Sequence, residues 1–185
     1  MEEDKYYYSP KQRVVLEEPE VEGLILDIGG GGEGVIGQLM GDKVIAIDLR
    51  EDELEETDND ALKIVMDASD LRFLDKSFDM VTSFFSLMYI PDKLHQKVFQ
   101  EVYRVLKEGS EFHIWEVEIS EKDEEYEAFI LSLEYSIRGN VTETGFGVRW
   151  REQDLNYYKD LAEKSGFNVI NHKINGQIFH LILSK

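Results

Sequence analysis

Four consecutive glycines, Gly29 to Gly32, break the chain directly after the apolar run LILDI, and another follows at Gly34, giving GLILDIGGGGEG over residues 23–34. Glycines gather this way where a strand turns sharply into a helix, where φ > 0 is needed, and where a ligand approaches the backbone more closely than a Cβ allows. The segment therefore predicts a strand, a tight bend and a helix, with a ligand resting on the bend.

Glycines 29, 31 and 34 also fit G-x-G-x-x-G, a spacing that places a pyrophosphate on a helix N-terminus. Charge argues against that ligand. Asp27 stands two residues before the first glycine of the run and Glu33 lies inside the loop. Like charges about 4 Å apart repel by roughly 4 kcal/mol at an effective dielectric near 20. A cationic ligand suits this bend better than a diphosphate.

Downstream, KVIAIDL (43–49) is a second short apolar strand ending at Asp48, where a carboxylate can accept from both hydroxyls of a ribose. IVMDASDL follows, with Asp67 closing a third strand, and SFDMVTSFFSLMYIPD contains a fourth that runs into a helix. Four blocks in this order, ILDIGGGGEG, VIAIDL, VMDASDLRFLDKSFDMV and EVYRVLKEGSEFHIWE, span Gly23 to Glu116. This stretch resembles the class I S-adenosylmethionine-dependent methyltransferases, closest to the small group called type 11. The resemblance implies an α/β, Rossmann-like fold: a seven-stranded, mostly parallel sheet with helices on both faces and a C-terminal antiparallel hairpin. It implies S-adenosyl-L-methionine as cofactor, with Asp27, Gly29, Gly30 and Gly31 holding the methionine portion and Asp48 the ribose hydroxyls. By the same resemblance Leu49 lies against the adenine, Asp67 accepts its amino group, Ala68 gives a backbone contact, and Ser83 or Phe84 flanks the sulfonium. Two departures stand out: Glu33 where the family commonly has glycine, and Arg72 where it has proline. Local readings exist as well, Asp48 as the cap of a helix over 50–56 and Asp67 and Asp70 as turn residues.

The rest of the pattern is read from periodicity. Asp92 is the expected N-cap of a helix whose apolar positions Leu94, Val98, Phe99, Val102, Val105 and Leu106 recur until Gly109. Residues 111–116 form the expected fifth strand. Leu155, Tyr158, Leu161 and Ala162 mark a further amphipathic helix closed by Gly166. The strands 167–174 and 177–183 flank Asn175-Gly176, the strongest two-residue hairpin signal. A terminal hairpin fits the methyltransferase sheet, whereas doubly wound dinucleotide domains usually continue with parallel strands.

Residues 1–185 read as a single methyltransferase domain with two segments outside its common core. Residues 1–22, with Tyr6, Tyr7 and Tyr8, are expected as an aromatic N-terminal flap over the cofactor mouth. Residues 120–150 are expected as an insertion or lid. In it Ser120 and Asp123 form a capping box, Tyr126, Phe129, Ile130, Leu133 and Ile137 line one face of a helix, and GNVTETGFGVRW is a loop presenting Arg149 and Trp150 to a substrate.

A net charge of −19 leaves no basic stripe for phosphates, so nucleic acid is a poor partner. There is no cysteine, no signal-like start and no apolar run of spanning length, which points to a cytoplasmic protein without a membrane role; oligomeric state stays open. The histidines at 95, 113, 172 and 180 show no ligand spacing, so no metal is expected. No G-x-S-x-G elbow or phosphate-binding loop appears. A sulfonium methyl is already activated, so transfer to a small-molecule or protein acceptor asks for placement more than for a catalytic motif. Tyr89, where relatives often carry histidine, is the candidate catalytic group, with core packing as its competing reading. Glu116, at the end of the fifth strand, is a candidate base. The competing functions are an NAD(P)-binding oxidoreductase and a catalytically silent S-adenosylmethionine-binding partner protein.

Overall fold

The computed structural model describes residues 5–121 and 125–185. Its centre is a seven-stranded sheet built from β3 (Ile25–Ile28), β4 (Val44–Asp48), β5 (Leu62–Val65), β6 (Phe78–Phe84), β7 (Leu106–Val117), β10 (Asn168–Asn175) and β11 (Ile178–Ser184), in the order β10-β11-β7-β6-β3-β4-β5. The five strands from β5 to β7 are parallel, and β11 and β10 close the sheet antiparallel. The terminal hairpin forms as expected, with its two-residue turn one position later: Asn175 still pairs with Ile178, and Gly176, at φ 62°, and Gln177 make the turn.

One face of this sheet is covered by α3 (Asp92–Val105) and α4 (Leu155–Ser165). Val98, Phe99 and Val102 of α3 and Tyr158 and Ala162 of α4 are buried there against Phe112, Leu181 and Leu183. The spacing of these residues puts them on one stripe of each helix, which is why the helices lie flat on the strands. Gly166 ends α4 in the left-handed conformation, φ 97°, as the sequence predicts. The start and end of α3 differ from expectation. Pro91 occupies the N-cap position with Asp92 as the first helical residue, and the helix stops at Val105 because Leu106 is already extended. Gly109 instead lies within β7, at φ 75°.

The other face carries α1 (Val35–Met40), α2 (Glu51–Glu56) and a second sheet of β1 (Tyr6–Tyr8), β2 (Gln12–Leu16), β8 (Ala128–Ile137) and β9 (Asn140–Arg149). Residues 126–137, expected as a helix, are thus mostly strand, and the expected loop over 139–150 is its antiparallel partner. The physical reason is the alternation Phe129, Leu131, Leu133, Tyr135, Ile137, all buried, with the intervening residues only partly so. The apolar Ile130 made a helical face readable, but a period of two buries five residues on the neighbouring sheet. The capping box called on Ser120 and Asp123 involves a residue outside those described.

Residues 6–16, expected as a flap, run parallel to β8 as β1 and then β2. Pro10 interrupts the ladder because it has no N–H. The Ser9 hydroxyl fills the gap by accepting from Ser132 N at 3.0 Å. Val14 and Leu16 face inward and Val15 is 76% exposed, so this strand too is sided.

Candidate active site

In the strand order, β3 lies between β4 on one side and β6 on the other, so the chain reverses its direction of winding at β3. In an open parallel sheet that reversal leaves a crevice outside the carboxyl ends of the strands. The ends of β3, β4 and β6 deliver Asp27 and the glycine bend, Asp48, and Ser83 to it.

Both aspartates divide their oxygens between the fold and the bend. Asp27 is 2% exposed; its Oδ1 accepts from Thr82 Oγ1 at 2.7 Å, while its Oδ2 lies 2.8 Å from where a Cβ on Gly30 would stand. Asp48 Oδ1 accepts from Arg50 N at 2.9 Å, and its Oδ2 lies 3.0 Å from where a Cβ on Gly31 would stand. A side chain at Gly30 would also meet Ala46 Cβ at 2.7 Å, and one at Gly31 would meet Glu53 Cβ at 2.7 Å. The glycines are thus required by close approach as well as by backbone shape. Desolvation pushes the Asp27 carboxyl up to about 7; the Thr82 hydrogen bond opposes this and the charge of Asp48 adds to it.

Four amides of the bend face inward. Gly29 N and Gly30 N both donate to Ile47 O, at 2.8 and 3.0 Å, Gly32 N donates to Glu53 O at 2.9 Å, and Gly34 N to Gly31 O at 3.2 Å. A diphosphate cradle needs such groups turned towards the ligand, and here four of them are committed to protein carbonyls. Helix α1 has six residues, so little dipole stands behind the bend.

The remaining predicted residues are placed as follows. Leu49 is 67% exposed beside Asp48. Asp67 lies two residues beyond the end of β5, its Oδ1 accepting from Ser69 N at 2.7 Å, and Ala68 next to it is buried. The turn reading of Asp67 is therefore realised, and Met66 N ties this turn to Asp48 O at 2.9 Å. Ser83 is fully buried, its hydroxyl 2.7 Å from Ser86 Oγ, which donates to Ile28 O at 2.6 Å beside the glycine bend. Phe84 is 7% exposed and packs edge-on to Phe85 and Tyr135.

On the far side of the crevice the chain leaves β6 through Phe85, whose φ of 48° is left-handed, and enters a 3-10 turn, Leu87–Tyr89. Holding a bulky residue in that region costs about 1–3 kcal/mol, which surrounding contacts offset. Phe85 N donates to Trp115 O at 2.9 Å and its ring stacks on Phe146 of β9 at 5.7 Å. Tyr89 is half exposed; desolvation first, then the charges of Glu116, Glu33 and Glu53, holds its phenol well above the ordinary range.

Glu116 does not stand open to the crevice as a base. It is fully buried, its Oε1 accepts from Met88 N at 3.1 Å and its Oε2 from Gln153 Nε2 at 3.0 Å. Desolvation pushes its carboxyl up to about 7 against these hydrogen bonds. Trp150 packs among Tyr7, Tyr126 and Phe129, with Nε1 donating to Ser120 O at 3.0 Å, and Arg149 is exposed. Three residues near the bend escaped the sequence reading. Glu53 reaches Gly32 from α2, and Thr144 and Phe146 of β9 reach Glu33, by a Thr144 Oγ1 hydrogen bond, and Phe85. The alternation of β9 was the signal that would have placed the last two.

Two surface cavities lie away from the bend. One of about 470 Å³ adjoins Glu18, Met40 and Arg138, and one of about 320 Å³ adjoins Glu118, Glu152 and Tyr157. Among the described residues no helix is long and apolar enough to cross a membrane.

Comparison with known proteins bears on the fold. The profile of the family described as "Methyltransferase domain" matches residues 26–114. No curated protein matches the sequence. Among solved structures, the chain is similar to a SAM-dependent methyltransferase of Methanosarcina mazei at 21% identity and a TM-score of 0.65, over 92% of this chain and 94% of that one. It is similar to a protein of Pyrococcus horikoshii OT3 at 23% identity and a TM-score of 0.68, over 89% and 82% of the two chains. It is also similar to phosphoethanolamine N-methyltransferase 2 of Haemonchus contortus, a structure in complex with S-adenosyl-L-methionine, at 18% identity and a TM-score of 0.64, over 90% of this chain and 50% of that one. At these identities the likenesses speak to the fold.

Proposed function

We propose that this chain, which belongs to the class I S-adenosylmethionine-dependent methyltransferases, binds S-adenosyl-L-methionine on the bend 29–31 and transfers its methyl group in line to a small-molecule acceptor. The observation that carries the reading is the pair of carboxylate oxygens, from Asp27 and Asp48, that lie close to Gly30 and Gly31 while the amides of Gly29, Gly30 and Gly32 donate to protein carbonyls. Such a bend offers hydrogen-bond acceptors and negative charge. It suits an ammonium and a ribose diol, and it fits a diphosphate poorly.

When bound, the cofactor supplies a methyl group already activated by its sulfonium charge. Asp27 ionises to meet the ammonium. Asp48 Oδ2 would hold the ribose hydroxyls, and the exposed Leu49 with Asp67 and Ala68 would hold the adenine. The Ser83-Ser86 hydroxyl pair fixes the end of β6 so that Phe84 and its neighbours wall the sulfonium side. Tyr89 lines the acceptor side and, its phenol protonated, orients the acceptor by hydrogen bonding. The β8–β9 hairpin forms the wall of that side. Placement of this kind contributes about 7–11 kcal/mol to a two-body reaction.

The test is transfer from methyl-tritiated S-adenosylmethionine to a size-fractionated cell extract. The expected result is label in the low-mass fraction, slowed in Asp48→Ala. Label in the protein fraction moves the acceptor to a protein. Tight cofactor binding with no transfer to any fraction replaces the enzyme by a silent cofactor-binding partner.

A further inference from the structure

The turn that carries Tyr89 is held by side chains from three other elements. Met88 N donates to Glu116 Oε1 of β7 at 3.1 Å. Met88 O and Ile90 O accept from Arg151 Nη2 and Nη1 at 3.1 and 2.9 Å. Leu87 O is 3.0 Å from His95 Nε2 of α3; a carbonyl only accepts, so Nε2 carries the proton and Nδ1 accepts from Tyr157 OH at 2.7 Å.

These holders are themselves held. Gln153 Nε2 donates to Glu116 Oε2 and, at 2.9 Å, to Val117 O, while Gln153 Oε1 accepts from Tyr158 OH at 3.0 Å. The backbones of Gln153 and Ile119 bond to each other in both directions, and Arg151 pairs with Asp92 at 2.6 Å. Residues 151–153 follow β9 after a single residue, Trp150, so the chain leaving the second sheet straps down the acceptor-side turn.

Filling this space does not need a carboxylate. A buried ionisable group carries a desolvation penalty of several kcal/mol, and an apolar side chain of similar volume avoids it. What Glu116 supplies and leucine lacks is a directed acceptor for Met88 N–H, and what Arg151 supplies is a fork that grips two carbonyls two residues apart.

We propose that Glu116, Arg151 and Gln153 are positioning residues that set the pose of Tyr89, so that the exit from the second sheet determines which acceptor fits. The inference rests on the reading of the crevice as a methyl-transfer site. None of the hydrogen bonds described for the three residues goes to the glycine bend, so the acceptor side is separable from cofactor binding.

The experiment follows Tyr89 replaced by 3-fluorotyrosine, together with ¹⁵N-methionine amides, in wild type, Glu116→Ala, Glu116→Gln and Arg151→Lys, with S-adenosylhomocysteine affinity measured by calorimetry. Wild type is expected to give one sharp fluorine line and a downfield Met88 amide. Glu116→Ala splits or broadens the line and moves the amide upfield. Glu116→Gln, which keeps an acceptor oxygen, restores most of both signatures. Arg151→Lys, which keeps bulk and charge but not the fork, perturbs the Tyr89 line even if Glu116→Ala fails to fold. In every folded variant the S-adenosylhomocysteine dissociation constant stays within about threefold of wild type. A Tyr89 line unmoved in Glu116→Ala or in Arg151→Lys overturns the proposal. So does a tenfold or greater loss of affinity in the variants without change at Tyr89. Failure of wild type to bind S-adenosylhomocysteine would instead sink the methyl-transfer reading and leave the spectra of the turn intact.

Discussion

The two covers of the central sheet are made from different material. One is helical: α3 and α4 lay apolar stripes on the strands, and Phe99, Val102, Tyr158 and Ala162 are fully buried there. The other combines short helices with a second sheet, and on this face the strands themselves carry polar groups, Asp27 and Thr82 in register across β3 and β6. The helix-covered face is lined mainly by apolar side chains, with Glu116 and His95 as buried polar exceptions near the strand ends, and works chiefly as scaffold. A sheet-covered face leaves room at its edge, where β9 ends the second sheet and Thr144 and Phe146 reach Glu33 and Phe85. On the proposed reading, the apolar packing on the first side chiefly supplies stability, and the polar groups on the second meet the cofactor.

The strongest way to break this contrast is Phe99→Ala. A buried phenylalanine truncated in a packed core costs about 3–5 kcal/mol. That loss is expected in urea unfolding, with S-adenosylhomocysteine affinity unchanged. A parallel loss of affinity would show that the helical cover also shapes the crevice.

Asp48→Ala probes the other side. Removing one or more hydrogen bonds to a carboxylate weakens cofactor binding by about 1.5–3 kcal/mol, while unfolding changes little because Asp48 Oδ1 serves only the local Arg50 N–H. Calorimetry that returns the wild-type affinity removes Asp48 from the site.

A smaller effect sharpens the comparison through pH. Burial raises Asp27 from 3.8 in an exposed chain to about 7 in the fold. The folded state therefore holds a proton that the unfolded state has released. Its stabilising contribution is complete below about pH 4 and is lost as pH rises through about 7. Wild type is thus expected to lose stability relative to Asp27→Asn between these limits. A cationic ligand favours the ionised carboxylate, so binding at pH 6 releases up to about one proton in wild type and none through this position in Asp27→Asn. Calorimetry in buffers of different ionisation enthalpy reads the count, and equal release in the two proteins would place the ammonium elsewhere.

The sequence made the glycine bend and the terminal elements readable and misled on the second sheet, for the same physical reason. At the glycine bend the backbone dictates the residues: Gly30 and Gly31 have no space for a Cβ, and Asp27 and Asp48 sit at the ends of neighbouring strands. Local spacing was enough to find them, as it was for α4 and the terminal hairpin. The second sheet depends on pairings between distant segments, such as Tyr6 with Ala128 and Gln12 with Leu133, which no local spacing records. The apolar Ile130 beside the alternating residues of β8 let a helical period compete. Glu116 was seen at the right strand end, but its burial and its bond to Met88 N depend on α4 and the segment 151–153 closing over it. Whether a carboxylate faces a crevice or the interior is decided by packing.

The central claim is that two carboxylates beside the glycine bend select a nucleoside bearing an ammonium and a free ribose diol over a diphosphate. Titration calorimetry of the wild-type protein with S-adenosylhomocysteine and, separately, with NADH tests it most directly. The account predicts saturable binding of the first and none of the second. Binding of NADH with no response to S-adenosylhomocysteine would contradict it.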